Sequence, residues 1–159
     1  YDGSSYCVLN YRDRGFYEVA FDENEKNQIQ VTDVDNSAGT TGDNTNIYAC
    51  DNTEDKIFAL SWSDVSNVSY GFSSTHLQYE GNDQDLSKQI KPTDYAIAKG
   101  GMITHFLGDS SDGCGGWWLR SPSTKWENWA WSISSDGYGW CFTDTSNNCG
   151  VVMALSVGL

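Results

Sequence analysis

The sequence predicts a single α+β domain spanning all 159 residues, in which short helices precede a small antiparallel sheet. Two observations predict the sheet. Trp117–Pro122 carries adjacent tryptophans that place bulky side chains on both faces of one extended segment, as in a strand buried from above and below. Residues 128–157 contain further strand-like runs between turn signals. Helical spacing and capping residues in the first 100 positions predict the helices.

The first 30 residues predict one strand and two short helices. Residues 6–9 are expected to form the strand, and residues 13–21 follow helical spacing with an Asp cap at the first position. Asp22 and Glu25 then stand at capping-box spacing and begin a second helix that continues to residue 29. We expect two abutting helices, or one bent helix, lying on the sheet.

Residues 31–53 are rich in Asp, Asn, Gly, Ser and Thr, which form local hydrogen bonds and tolerate turn geometry. A long surface loop with irregular backbone is therefore expected here. Its carboxylates Asp33, Asp35 and Asp43 could hold calcium, but the ordered spacing and terminal Glu of an EF-hand are absent. The pattern favours a solvated loop, and no motif supports a structural calcium ion, another metal or a cofactor.

The middle of the chain predicts short elements joined by polar loops. Residues 56–60 are expected to form an apolar strand, and residues 61–65 a one-turn helix with Ser and Asp at its start. Pro at the first turn and Gly100 just past the end indicate a helix over residues 92–99. The Gly, Ser and Asp residues of 108–116 then connect to the Trp117 strand.

The last third of the chain predicts a four-strand antiparallel meander. The first strand ends at Pro122, because proline cannot donate to a sheet. Residues 128–134 form a half-buried strand, Gly137 completes a tight turn, and residues 138–143 return as its partner. After a second turn, residues 151–157 form the closing strand. This strand and the first one are expected to form the core of the sheet.

Charge is distributed unevenly along the chain. The sequence has 9 basic and 22 acidic side chains, and its formal net charge of −13 argues against binding to nucleic acid or to an anionic membrane. Residues 114–159 are nearly neutral, yet they contain most of the tryptophans. Because the chain starts without Met and has no apolar run near ~18 residues, we expect no membrane insertion, and a mature or excised part of a longer chain.

A nearly neutral aromatic region on an acidic body is typical of a binding surface, because Trp and Tyr are favoured at contacts. The alternation of residues 128–134 favours Trp129 and Trp131 as core residues. The predicted ligand contacts are Trp126, Glu127, Asn128, Ser134, Asp136, Tyr138, Trp140, Phe142, Asp144 and Asn147. The alternative is that this aromatic third is simply the core of the domain.

The five cysteines are an odd number and match no zinc or redox spacing. Cys141 and Cys149 flank a polar segment that can fold back as a hairpin, so they are the predicted disulfide pair. The alternative is that all five cysteines are reduced.

Four stretches, which occur in order along nearly the whole chain, resemble the sequence of a known domain family. They are Phe-Tyr-Glu-Val-Ala-Phe at 16–21 followed by Glu-Lys at 25–26, Asp-Lys-Ile-Phe-Ala-Leu-Ser at 55–61, Thr-Asp-Tyr-Ala-Ile-Ala-Lys-Gly at 93–100, and Trp-Trp-Leu-Arg-Ser-Pro at 117–122. Together they resemble an uncharacterised bacterial domain family of the C-type-lectin-like superfamily. That family closes with Gly-Val-Arg-Pro-Ala-Leu, whereas residues 150–155 here lack the Arg and the Pro. The resemblance implies a C-type-lectin-like fold that displays an irregular region.

The superfamily includes sugar-binding lectins, formylglycine-generating enzymes, and variable proteins that phages and bacteria diversify near the C terminus. The chain has none of the Glu-Pro-Asn, Gln-Pro-Asp and Trp-Asn-Asp triplets of the calcium lectins, so calcium-dependent sugar binding is not implied. Cys141 and Cys149 are the only candidates to match the catalytic cysteines of the formylglycine enzymes, and the surrounding Arg and Asn pattern is missing.

The expected function is non-enzymatic ligand binding or display, in which the C-terminal aromatic region contacts a protein or a carbohydrate on a cell surface. A more specific form of this hypothesis is a diversified receptor-binding protein. Varying the first two bases of an Asn codon can encode nearly every residue found from 132 to 148. The alternatives are a subunit-contact module of a surface or virion assembly, with oligomers expected, and a formylglycine-type cysteine oxidase. His76 and His105 are the only near-neutral acid-base groups. The expected location is extracellular, cell-surface or virion-associated.

Overall fold

The structure is a computed structural model that describes residues 16–73, 84–104, 111–144 and 149–158, with residues 140–144 described by backbone alone. These residues form an α+β fold with short helices and small sheets that are mainly antiparallel, as predicted. The strand predicted at residues 6–9, and the histidines His76 and His105, lie outside the described residues.

The described helices and strands are short. The helices are α1 Phe16–Ala20, α2 Glu23–Gln28, α3 Trp62–Val65 and α4 Asp94–Ala98, and the 3-10 helices are Ala38–Thr41, Val68–Tyr70 and Leu86–Lys88. The strands are β1 Ile29–Gln30, β2 Thr32–Val34, β3 Thr53–Asp55, β4 Phe58–Ala59, β5 Trp117–Pro122, β6 Trp129–Ile133, β7 Gly139–Asp144, β8 Gly150–Val151, β9 Met153–Ala154 and β10 Ser156–Val157.

The main sheet has four strands in the order β7, β6, β5, β8. Strand β6 runs antiparallel to both β7 and β5, which confirms that part of the predicted meander. The fourth strand contradicts it, because β8 lies beside β5 and runs parallel to it, with Trp117 opposite Gly150. The chain therefore crosses from one edge of the sheet to the other between β7 and β8.

The single closing strand predicted over residues 151–157 is wrong. The segment is extended, but it is divided into β8, β9 and β10, and each of these pairs with a different strand, β5, β4 and β1 respectively. It joins separate two-stranded sheets to the main one. Because the backbone of this segment is extended, its side chains alternate, and every second one faces outwards.

The hydrophobic core lies on one face of β5 and β6. Its buried residues are Val65, Trp117, Leu119, Trp131 and Ile133, packed against Leu60, Trp62, Phe72, Ile90 and Val152. The ring centroids of Trp62 and Trp131 are 3.9 Å apart. Trp131 is thus a core residue as predicted, whereas Trp129 is only half-buried. On the other face of β5, Trp118 and Arg120 are half-buried, so only one face is buried as fully as predicted.

The predicted helix ends are largely confirmed. Asp22 and Glu25 form a reciprocal capping box at the start of α2, with both hydrogen bonds at 2.9 Å, and α1 ends just before it. Ser61 caps α3 in the same way. Thr93 caps α4, so this helix begins two residues later than predicted, and Gly100 follows its end with φ of 90°.

The long loop predicted over residues 31–53 is more structured than expected. It contains β2, which pairs with β3, and a 3-10 helix in which Thr41 is buried. The buried Asn46 amide donates to the Thr41 hydroxyl and to the Pro122 carbonyl, both at 3.1 Å. The Ser121 hydroxyl donates to the Thr40 carbonyl at 3.1 Å. Polar side chains that suggested a solvated loop therefore fasten this segment to β5.

Candidate functional site

An exposed aromatic surface lies in the connection between β5 and β6. Trp126 is 45% exposed, and its ring lies against that of Trp129 with 4.4 Å between the centroids and 41° between the planes. Lys125, Glu127 and Asn128 are exposed around it, and the Lys125 ammonium is 5.9 Å from the centroid of the Trp126 ring. We call these five residues the Trp126 platform. It contains three of the predicted ligand contacts.

Backbone hydrogen bonds fix the ends of this connection. The Ser123 N–H donates to the Trp129 carbonyl at 2.9 Å, and the Trp129 N–H donates to the Trp126 carbonyl at 3.3 Å. The buried Ser123 hydroxyl accepts from the Lys125 N–H at 3.1 Å. The platform is therefore presented from a fixed base, while the side chains of residues 125–128 face solvent.

The turn between β6 and β7 places three other predicted contacts in a structural role. The Ser134 hydroxyl donates to the Asp136 carboxylate, and the Asp136 carbonyl accepts from the Asp85 N–H at 3.0 Å. Tyr138 is only 2% exposed, so its ring is not part of an exposed surface, contrary to its prediction as a contact. Gly137 has φ of 90°, which confirms the predicted turn.

The remaining predicted contacts lie along or after β7. The β7 backbone runs beside β6, with Asp144 opposite Trp129 and Trp140 opposite Ser132. This pairing brings Asp144 next to the platform along the backbone. The side chains of Trp140, Phe142 and Asp144, and the whole of Asn147, lie outside the described part of the chain. Their role in binding stays a prediction.

A buried ion pair lies beneath this turn, and the sequence analysis missed it. Lys88 is fully buried, and its ammonium binds the Asp85 carboxylate and donates to the Ser73 carbonyl at 2.9 Å. The Lys88 carbonyl accepts from the Trp117 indole at 3.1 Å. Burial acts to raise the pKa of Asp85, but hydrogen bonds from Lys88 and Ser87 outweigh it and hold this pKa below its usual value. The only sign of this ion pair in the sequence is that Asp85 and Lys88 stand three residues apart.

The predicted disulfide between Cys141 and Cys149 is not formed, because Cys149 is a free thiol. The backbone of Cys141 lies in β7, and Cys149 lies just before β8, where it lines a cavity with Ser132 and Ile133 of β6. Burial also raises the pKa of the Cys149 thiol. The formylglycine-type alternative stays a prediction, because the side chain of Cys141 lies outside the described part of the chain.

The carboxylates of the acidic loop do not converge. Among the described residues, no group of three His, Cys, Asp or Glu side chains is placed to hold a metal. Asp35 accepts from the Ser37 N–H at 2.8 Å, and Asp43 accepts from the Thr45 hydroxyl at 2.7 Å and from its N–H at 2.8 Å. These hydrogen bonds lower the pKa of both carboxyl groups. The acidic side chains therefore stabilise local turns.

Comparison with known proteins assigns a family. The sequence model of a domain of unknown function, DUF6273, matches residues 1–158. The chain belongs to this family. No curated protein and no solved structure matches it. In the part of the chain that the structure describes, no helix is long and apolar enough to cross a membrane.

Proposed function

We propose that this DUF6273 member is a non-enzymatic binding domain with a C-type-lectin-like fold that contacts a carbohydrate through the Trp126 platform. The observation that carries the proposal is the exposed Trp126 ring, which packs against the half-buried Trp129 ring and is presented from a loop with fixed ends. A rigid aromatic side chain provides contact area and loses little conformational entropy on binding. We propose an extracellular, cell-surface or virion-associated location for this activity.

The size of the platform favours a sugar over a protein as the ligand. One indole that is 45% exposed offers contact area for about one sugar ring, whereas a standard protein interface buries about 800 Å² on each partner. A sugar presents C–H groups that pack on an aromatic face and hydroxyls that need hydrogen bonds. Lys125, Glu127 and Asn128 supply donors and acceptors beside the ring.

Local charge also favours a neutral ligand. The platform carries one cation, Lys125, and one anion, Glu127, although the whole chain has a net charge of −13. An uncharged sugar gains and loses little from the overall field of the protein. Its affinity should therefore change little with salt, unlike that of a basic protein partner attracted to the acidic body.

The arrangement of the elements supports the proposed fold. The four stretches that resemble the C-type-lectin-like family become α1 with the start of α2, β4 with the cap of α3, α4, and β5. They lie in short helices and in the strands around the core, where a scaffold shared by a family would be expected. The connection that carries the platform lies outside these four stretches, as a variable display region would.

A glycan array probed with the purified full chain tests this proposal. We expect at least one glycan to bind, and we expect Trp126→Ala to weaken that binding tenfold or more, a loss of ~1.4 kcal/mol. Tyr70→Ala is the matched control, because Tyr70 is an exposed aromatic residue on a different segment, 62% exposed. Chelation of calcium should leave binding unchanged.

Two results would contradict the carbohydrate proposal. One is an array without binding, and the other is binding that Trp126→Ala and Tyr70→Ala affect equally. A negative array together with a purified protein ligand whose affinity needs Trp126 would assign the platform to protein recognition instead.

Sequencing the gene region for residues 123–149 across the source population tests whether the domain is a diversified receptor-binding protein. That hypothesis requires dense substitution in this window and constant flanking strands.

A further inference from the structure

A motif for N-linked glycosylation lies in the turn that follows α3. Asn67-Val68-Ser69 has the pattern Asn-X-Ser/Thr in which X is not proline, and no other asparagine of the sequence meets this pattern. The pattern arises often by chance, so its place in the fold decides what it means. An acceptor asparagine lies at the surface, and its side-chain nitrogen is not needed inside the fold.

The turn that carries the motif is attached to the core and open to solvent. Helix α3 ends at Val65, which is fully buried, and a 3-10 helix begins at Val68. Asn67 is half-buried, Ser69 is exposed, and Val68 and Tyr70 are 66% and 62% exposed. Every residue of the motif therefore reaches the solvent.

Asn67 uses only one side of its side-chain amide within the fold. Its carbonyl oxygen, Oδ1, accepts from the Ser69 N–H at 2.9 Å. Its nitrogen, Nδ2, is the atom to which a glycan is attached, and it donates to no group of the described residues. Replacing one of the two Nδ2 hydrogens by a sugar therefore breaks no hydrogen bond in the described part of the chain.

Two other asparagines show the opposite arrangement. The Asn36 side-chain nitrogen donates to the Asp51 carbonyl at 3.3 Å and to the Thr53 hydroxyl at 3.1 Å. The Asn46 side-chain nitrogen also makes two hydrogen bonds, which fasten its loop to β5. A glycan on either nitrogen would remove one of these bonds, and neither asparagine begins an acceptor motif.

We propose that Asn67 accepts an N-linked oligosaccharide when the chain is exported. The donor class is an oligosaccharide that is joined to a lipid through a diphosphate. Asn67 Nδ2 forms a bond to C1 of the first sugar, the bond between C1 and the diphosphate oxygen breaks, and the lipid diphosphate leaves with the electron pair. Nδ2 loses one proton to a base of the transferring enzyme, which selects the motif through the Ser69 hydroxyl.

The neighbours of Asn67 give the glycan a physical role. Val68 and Tyr70 are large apolar side chains that the fold leaves in water. Because Asn67 directly precedes Val68, a hydrated oligosaccharide on Asn67 covers apolar surface that otherwise favours association. The glycosylated chain should therefore aggregate less on heating than the unglycosylated chain.

Mass spectrometry of the full chain tests this proposal. When the chain is secreted from a host cell that has an oligosaccharyltransferase, its mass should exceed 17.6 kDa by that of one glycan. Peptide:N-glycosidase F should remove the glycan and leave an aspartate in place of Asn67, which peptide mapping locates. Asn67→Gln and Ser69→Ala should lack the glycan, whereas Ser69→Thr keeps the hydroxyl and should retain it.

A second acceptor motif provides a matched control for the structural argument. Ala38→Ser creates this motif at Asn36, which is half-buried like Asn67. The same variants made in a host without the transferase serve as unglycosylated references. A glycan on Asn67 should leave the melting temperature unchanged. A glycan on Asn36, studied in Ala38→Ser combined with Asn67→Gln, should lower it, because a hydrogen bond from the Asn36 nitrogen is lost.

Three outcomes would overturn the proposal. They are a secreted chain with an unmodified mass of 17.6 kDa, a glycan that both Asn67→Gln and Ser69→Ala retain, and a chain that melts at a lower temperature when Asn67 is glycosylated. The proposal shares only the extracellular location with the proposed function. Probing the glycan array with Asn67→Gln keeps the two failures distinguishable, because this variant carries no glycan of its own and retains the Trp126 platform.

Discussion

Replacing Lys88 with methionine should cost about 3–5 kcal/mol of unfolding free energy. Lys88 is 0% exposed, and Asp85, whose carboxylate binds its ammonium, is 4% exposed. Methionine fills much of the lysine volume, so a cavity contributes little. The cost comes from leaving the Asp85 charge buried without its cation. For a domain stabilised by about 5–15 kcal/mol, that loss is a large part of the total.

Two comparisons separate this electrostatic cost from a general effect of losing a lysine. Lys26 also forms ion pairs, with Glu18 and Glu23 at 3.0 Å each, but these carboxylates are 55% and 86% exposed. Water solvates them when the lysine is removed, so Lys26→Met should change stability far less. Combining Lys88→Met with Asp85→Asn removes the stranded charge and should recover much of the loss.

Urea unfolding followed by tryptophan fluorescence provides the measurement, since Trp117 and Trp131 lie in the core. The slope of the transition should stay the same while its midpoint falls in Lys88→Met. A loss no larger than that of Lys26→Met would refute the reasoning. So would a double variant with Asp85→Asn that is no more stable than Lys88→Met alone.

Four further measurements follow from the structure. In the same urea assay, Trp131→Ala should cost about 3–5 kcal/mol as a core truncation, and Trp126→Ala should cost far less; equal losses would contradict the division between core and platform. Gly137→Ala should lower the melting temperature strongly, because the added Cβ would lie 2.0 Å from the Asp85 carbonyl oxygen; an unchanged temperature would place the turn elsewhere. The folded pKa of Asp85 lies below its usual value, so its stabilisation is present at neutral pH and is lost as pH falls below about 4; acid titration of Asp85→Asn should lack this component. Dithiothreitol should shift the melting temperatures of the natural chain and of Cys149→Ser equally, since Cys149 is a free thiol, and a drop confined to the natural chain would indicate a disulfide at Cys149.

Features that depend on a few neighbouring residues could be predicted from the sequence. The capping box of Asp22 and Glu25 involves groups three residues apart, and Ser61 caps α3 on the same principle. The hairpin of β6 and β7 was predicted from alternation and from Gly137, whose positive φ the turn requires. In each case the local chain contains both partners of the interaction, so no distant contact decides the outcome.

Features that depend on distant pairing could not be predicted in this way. Apolar residues 151–157 satisfied the pattern of a buried strand, but their hydrogen-bond partners lie in β5, β4 and β1. Lys88 was missed for a related reason. A lysine in a polar stretch is normally solvated, and only the elements packed around it reveal that it is buried.

Trp117 and Trp131 are buried whereas Trp126 is exposed, and strand geometry explains the difference. Trp117 and Trp131 lie within β5 and β6, where alternation directs every second side chain into the core. Trp126 lies in the connection between these strands, where nothing directs its side chain inwards. The bonds that hold this connection involve the Ser123 hydroxyl and backbone groups.

Those bonds do not depend on the side chains of residues 125–128, which face solvent. Surface substitutions of this kind usually change stability by no more than about 0.5 kcal/mol. Under the proposed function, residues 125–128 of the Trp126 platform can therefore change with little effect on the fold, whereas Trp129 also belongs to β6. A display domain, whether its ligand is fixed or diversified, needs this separation between binding and folding.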